Sequence, residues 1–212
     1  MTGFTPRLLS AVLLGLSVPL LAAQAPATTP ATAAAPAAVE DYVIDPVHTT
    51  AQFNVAHMLI STVTGKFDQV KGTIHLDPAN LARSSVEVTI DVSSVNTGNA
   101  TRDKDLVSPN YFDAAKYPNI TFKSTEVKDL GGGALSVAGT LTIHGETKPV
   151  VIAVTGWSTG PGMKPGSKAA GFRKGTLTLK RSEYGMSHLI GPIGDEVDIN
   201  LSVEANKVQP AQ

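Results

Sequence analysis

Strict alternation of apolar and polar residues recurs along this chain, and it narrows the accessible folds more than any other feature. Val86, Val88, Ile90 and Val92 alternate with Glu87, Thr89, Asp91 and Ser93, and Val197, Ile199, Leu201, Val203 and Ala205 alternate with Glu196, Asp198, Asn200, Ser202 and Glu204. A period of two sets one row against a core and leaves the other to water. The same period runs through Ala51, Phe53, Val55 and His57, through Val63, Gly65 and Phe67, and through Val70, Gly72, Ile74 and Leu76. The change from odd to even positions requires a turn or bulge near Asp68 and Gln69.

Asp41 to Asp45 reads as a short edge strand stopped by Pro46. Leu135 to Ile143 and Val150 to Val154 flank His144-Gly145 as a hairpin, and Gly171 to Arg181 resumes strand with Leu177 and Leu179 inward. Trp157 to Lys168, rich in Gly, Pro and Ser, reads as a long exposed loop. About eight strands joined mostly by short turns predict an all-β fold, an eight-stranded antiparallel up-and-down barrel closed on itself, with a β-sandwich as the alternative. Gly65, Gly72 and Gly139 fall on inward positions, where a missing side chain bends the wall or leaves room inside. These small inward residues favour an interior that holds a ligand.

One stretch interrupts the strands. In Thr101 to Phe122, Asn99 or Thr101 is placed to cap a short helix over Arg102 to Val107, Ser108-Pro109 ends it, and Pro118 forces the chain extended again. Leu106, Val107, Tyr111 and Phe112 are too few for an independent helical domain, so the segment is read as a lid on the mouth of the strand structure. Tyr111 and Phe112 either close a core or face a ligand.

Residues 1–25 have the form of a cleaved secretory signal, with Arg7 before an apolar run from Leu8 to Leu21 and small residues after it, which implies a secreted protein. Residues 26–39, Ala, Pro and Thr ending in Val39 and with no charge, read as a tether, residues 40–206 as one barrel domain, and residues 207–212 as a C-terminal tail. The absence of cysteine rules out disulfides and thiol chemistry. A formal net charge of −1, more negative still without Arg7, offers no basic patch to nucleic acid.

Tyr42-x-Ile44-Asp45-x-x-His48, Phe53-x-Val55-x-His57, Gly65-x-Phe67, Arg102-Asp103-x-x-Leu106, Tyr111-Phe112-Asp113, Tyr117-Pro118-x-Ile120-Thr121-Phe122 and Gly139-x-Leu141-Thr142-x-x-Gly145-x-Thr147-Lys148-Pro149-Val150 occur in a fixed order. Together they resemble the bacterial YceI-like family of periplasmic polyisoprenoid-binding proteins, over about Tyr42 to Ala205. Two positions depart from the family pattern, Asn110-Tyr111-Phe112 and Tyr184-Gly185, and each adds a hydroxyl near the mouth. The resemblance places the secreted chain in the periplasm and implies a lipocalin-like barrel whose apolar tunnel holds the tail of a polyisoprenoid or other long-chain lipid, with no catalysis and no resident cofactor beyond that amphiphile.

Phe53, Val55, Phe67, Phe112, Phe122, Leu141 and Met186 are the candidate lining or lid residues, with plain core packing as the competing role. His57 shares the inward face of its strand and either meets a polar head group or serves as a satisfied structural histidine. Arg181, in register with Leu177 and Leu179, either grips a phosphate or carboxylate, pairs with Asp195 or Glu196, or reaches to water. Arg102 and Asp103 are read as an ion pair or cap that holds the lid. No His-x-His or His-Glu-x-x-His spacing supports a metal, and no Gly-x-Ser-x-Gly elbow supports a serine nucleophile, so an enzyme at the barrel mouth is the alternative reading and a filled-core stress or adhesion module a third. An apolar rim at Leu189 to Ile193 points to a transient membrane contact or a homodimer.

Overall fold

The computed structural model describes residues 38–209, together with residues 1 and 3; nearly all of the expected signal peptide, most of the expected tether and the end of the tail lie outside the described residues. The alternating segments form twelve strands: β1 (Glu40–Ile44), β2 (Thr50–His57), β3 (Ser61–Phe67), β4 (Val70–Leu76), β5 (Ser85–Asp91), β6 (Val95–Asn96), β7 (Asn119–Gly131), β8 (Ala134–Ile143), β9 (Glu146–Thr155), β10 (Ser158–Pro161), β11 (Lys168–Lys180) and β12 (Ile193–Lys207). Eight of them close a ring in the order β1, β4, β5, β7, β8, β9, β11, β12, with every pairing antiparallel. This is the predicted closed eight-stranded barrel.

From β4 to β12 the ring follows the chain in sequence. Its first strand does not, because β1 pairs with β4 while β2 and β3 form a hairpin set on β12. The fifteen residues of β12 are long enough to serve two partners on one edge: Val197 to Ser202 face β2, and Ala205 to Lys207 face β1. The phase change near Asp68 and Gln69 is the link from β3 to β4, two strands that do not pair with each other.

The loop expected over Trp157 to Lys168 is instead partly sheet. Ser158 to Pro161 pair with Lys168 to Gly171, forming the exposed edge strand β10. Its composition reads as loop, yet an edge strand needs hydrogen bonds on one side only and tolerates Pro161 at its end. Between β6 and β7 a single helix, α1 (Ala100–Leu106), starts at Asn99, whose side chain accepts the amides of Thr101 and Arg102 at 3.1 Å each. Leu106, Val107, Phe112 and Ala114 then pack on the buried cluster of Phe53, Phe67, Ile120 and Ile143, so the segment covers one end of the barrel as a lid.

Candidate functional site

Inside the ring lies a cavity of about 190 Å³ whose surface is wholly apolar. Valine, isoleucine and leucine from all eight ring strands or their neighbours contribute, with Phe53, Phe67, Phe122, Trp157 and Phe172 as the large rings. Thr49, Thr50, Gln52, Ser84 and Ser85 border it without presenting a polar atom, and none of the lining residues titrates. Such a void does not hold water well, since a buried water needs polar partners, whereas apolar cavities accept apolar ligands.

Three phenylalanines hold this space open by lying against glycines. A Cβ at Gly65 would fall on the Phe53 ring, one at Gly139 would stand 2.5 Å from Phe122 Cζ, and one at Gly175 would stand 2.8 Å from Phe172 Cε2. The inward glycines at 65 and 139 therefore do not leave empty space where they stand. They recess an aromatic ring into the wall, and the room appears on the ring's other side. Gly72 differs, for its missing side chain lets the Glu87 carbonyl and the Ile44 side chain approach.

Of the ten residues expected to bind ligand, Phe53, Phe67, Phe122 and Leu141 line the cavity; Val55, His57, Tyr111, Phe112, Met186 and Arg181 do not. Val55 pairs with Val63 and Val197, and His57 is exposed at the end of a hairpin. Alternation assigned both to the inward face correctly in phase, but β2 runs on past the ring, where that face has no interior to meet. Phe112 stacks edge-on against Phe67 at 5.7 Å between centroids, and Phe67 lies 5.7 Å from Phe53, so the lid reaches the cavity through a relay of rings. Met186 and Tyr111 are buried at this end, Tyr111 with its ring edge-on to His188 at 5.3 Å. Burial raises the Tyr111 phenol above the usual tyrosine pKa.

Arg181 is 5 % exposed, makes no ion pair with a carboxylate and does not line the cavity. Its guanidinium donates to four backbone carbonyls: Nε to Gly194 (2.8 Å), one terminal nitrogen to Met186 (2.6 Å) and His188 (2.8 Å), the other to Ile193 (3.1 Å). Burial lowers its pKa, yet the four acceptors keep the charge solvated by protein. Asp195, one expected partner, instead accepts the Ser182 amide and hydroxyl, which hold its carboxyl below the ordinary range. Arg181 is the post around which residues 186–194 are wound.

The lid has a clamp of its own. Thr97 accepts from Arg102 Nε at 2.7 Å through its hydroxyl oxygen, donates that hydroxyl to Asp103 Oδ1 at 2.6 Å, and gives its amide to the same carboxylate at 2.9 Å, while Arg102 also reaches the Thr97 carbonyl at 3.0 Å. Arg102 and Asp103 hold the lid through Thr97 rather than as a direct ion pair. At the β1–β2 corner Asp45, His48 and Glu204 bring ligand-type atoms within 4.8 Å of one another, the one such group among the described residues. Asp45 is engaged there by the Val47 amide, His48 and Asn206, which staple the corner.

Trp157, Phe172 and Leu81 also line the cavity and were not foreseen. Trp157 is the chain's single tryptophan and stands in the Gly, Pro and Ser-rich stretch, a placement that itself signals an anchor. Phe172 sits where β11 bulges against β12 between Phe172 and Gly175, so the alternation breaks at the residue that matters.

A closed antiparallel barrel of eight strands, roofed at one end by a helical segment and enclosing one apolar void, defines a small-barrel protein built around an interior ligand-sized space. The chain belongs to the YceI-like family, whose domain matches residues 42–205. It is 42% identical over 167 residues to a UPF0312 protein of Vibrio cholerae, a similarity that covers 77% of this chain and 86% of that one. Among solved structures it is similar to the YceI protein of Campylobacter jejuni, at 33% identity and a TM-score of 0.65 over 73% of this chain and 90% of that one. It also shares its fold with a polyisoprenoid binding domain from Saccharophagus degradans implicated in plant cell wall breakdown, at 18% identity and a TM-score of 0.58 over 79% of this chain and 98% of that domain.

Proposed function

We propose that this chain binds a long-chain amphiphile, a polyisoprenoid, isoprenoid quinone or fatty-acid derivative, with its hydrocarbon inside the barrel, and carries or stores it in the periplasm. The observation that carries the reading is the cavity wall, apolar throughout and free of titratable side chains. Each methylene moved from water into such a wall contributes about 0.8 kcal/mol, so a long tail binds without a single hydrogen bond. General acid–base chemistry has no group to work with inside the cavity, which favours binding over hydrolysis. The Saccharophagus degradans domain of the same fold is described as binding polyisoprenoid, and the agreement supports the same ligand class here.

Native mass spectrometry of the protein purified from its own envelope, followed by organic extraction, tests this. A stoichiometric long-chain amphiphile is expected. A protein that releases only a metal ion would move the function to the Asp45, His48 and Glu204 corner, and one that carries neither would favour the filled-core module.

A further inference from the structure

At the end of the barrel covered by the lid, the β2–β3 turn and the segment after Arg181 finish side by side. Met58 donates its amide to the Pro192 carbonyl at 2.6 Å, and His57 pairs with Ile193. Between them they expose Met58 (55 %), Leu59 (83 %), Ile60 (87 %), Leu189 (51 %) and Ile190 (44 %). The other exposed apolar residues of the described chain include singles such as Val47 and Met163, which need no explanation.

Folding alone does not account for these residue types. Met58 and Leu59 have φ of 53° and 60°, and Leu189 has 52°. Met58 and Leu59 are the two central residues of the His57–Ile60 turn, and a turn with both central φ positive is best served by Asn-Gly, while Gly or Asn suits position 189 equally. The chain accepts strained backbone to place large aliphatic side chains in water, and such outliers motivate a functional reading.

Charge narrows the occupant. Residues 57–62 and 186–194 contain no Lys, Arg, Asp or Glu, and His57 and His188 are the only titratable side chains among them, so no permanent charge opposes entry into a medium of low dielectric. Area narrows it further. Five partly exposed aliphatic side chains amount to a patch on the order of a few hundred Å², the size of the largest apolar patches on monomers and short of the roughly 800 Å² per partner that a stable dimer buries. The side chains also project from two turns rather than forming a flat face, a shape that a fluid phase accommodates more readily than a second protein. Arg181 fixes the second turn through its bonds to Met186, His188, Ile193 and Gly194, and Tyr111 of the lid stacks on His188, so whatever seizes this rim sits beside the cavity's cover.

We propose that Met58, Leu59, Ile60, Leu189 and Ile190 form a membrane-docking rim that enters the interfacial layer of a lipid bilayer and sets the lid end of the barrel against the phase from which the cargo comes. The inference rests on the reading that the cargo is a membrane amphiphile. It is tested separately, by flotation of the mature chain with phosphatidylcholine vesicles at high salt. The wild-type protein is expected to float, and Leu59→Asp/Ile60→Asp to lower the floated fraction about tenfold or more. Because both residues are exposed, that variant keeps its fold. Met58→Asn/Leu59→Gly supplies a second arm, since it relieves the turn: it is expected to unfold at higher denaturant while losing flotation. Wild-type protein that stays with the soluble fraction, or a charged variant that floats as well as wild type, would overturn the proposal. So would light scattering that shows a dimer which Leu59→Asp/Ile60→Asp converts to monomer, because the rim would then belong to a second copy. Protein that yields amphiphile on extraction but does not float would defeat the docking rim and leave the carrier reading standing.

Discussion

The ring of Phe122 lies across Gly139 so closely that a Cβ on residue 139 would stand 2.5 Å from Phe122 Cζ and 2.5 Å from the Lys123 carbonyl oxygen. Backbone blocks one side, so the ring must yield inward. Gly139→Ala is therefore expected to destabilise the protein by about 1–3 kcal/mol and to reduce uptake of a long-chain amphiphile as the ring swings into the cavity. Adding Phe122→Leu should restore much of the uptake. Denaturant unfolding and a fluorescent fatty-acid titration check both; a singly substituted protein with full uptake would show that the ring over Gly139 does not set the cavity's width.

How much of this was legible in the sequence depends on the range of the interaction. Period-two patterning marked the ring strands, because it reports only which face a residue takes, and Asn99 announced α1 through a cap that acts over three residues. What local pattern cannot carry is which strands meet. That β12 is shared between β2 and β1, and that β2 outruns the ring and leaves His57 in water, follow from long-range register. Arg181 shows both sides. Its inward direction was readable from Leu177 and Leu179, but its partners are backbone carbonyls, which no side-chain pattern advertises.

Those carbonyls make Arg181 a stability residue. Arg181→Met keeps much of the volume and leaves four inward carbonyls without a donor, so a loss of at least about 2 kcal/mol is expected. Hydrogen exchange should accelerate first in residues 186–194, the segment the guanidinium ties down. Unchanged exchange there, with altered preference among lipid head groups, would instead restore the ligand-gripping role.

Glu40 gathers Lys207 at 2.7 Å, Lys168 at 2.9 Å and the Tyr42 hydroxyl at 2.7 Å, and the first of these does most to bring its pKa from 4.5 to about 2. A carboxyl whose folded pKa is depressed stabilises the fold above its unfolded value and loses that contribution as pH falls toward the folded one. Stability should thus decline between about pH 4.5 and 2, by on the order of 1–2 kcal/mol once the exposure of Lys168 is allowed for. Tyr42, raised to about 12 chiefly by burial, has the opposite sign: its contribution is complete below its ordinary value of 10 and is lost as pH climbs toward 12. Glu40→Gln should flatten the acid limb, as read by urea midpoints across pH; an unchanged acid limb would remove Glu40 as its source.

Thr97 controls the lid with one hydroxyl that serves both Arg102 and Asp103. Thr97→Val preserves shape and removes that hydroxyl while leaving the backbone amide of residue 97 to Asp103 and its carbonyl to Arg102, so the cost should be modest, about 1–2 kcal/mol. The kinetic effect should be larger than the equilibrium one. If α1 must swing aside for a tail to enter past Phe112 and Phe67, loosening the clamp lowers the barrier in both directions, and association and dissociation rates of a long-chain probe should rise together with little change in their ratio. Stopped-flow fluorescence separates the outcomes: equal acceleration of both rates identifies the lid as the gate, whereas unchanged rates alongside faster amide exchange in α1 would place the entrance elsewhere on the barrel.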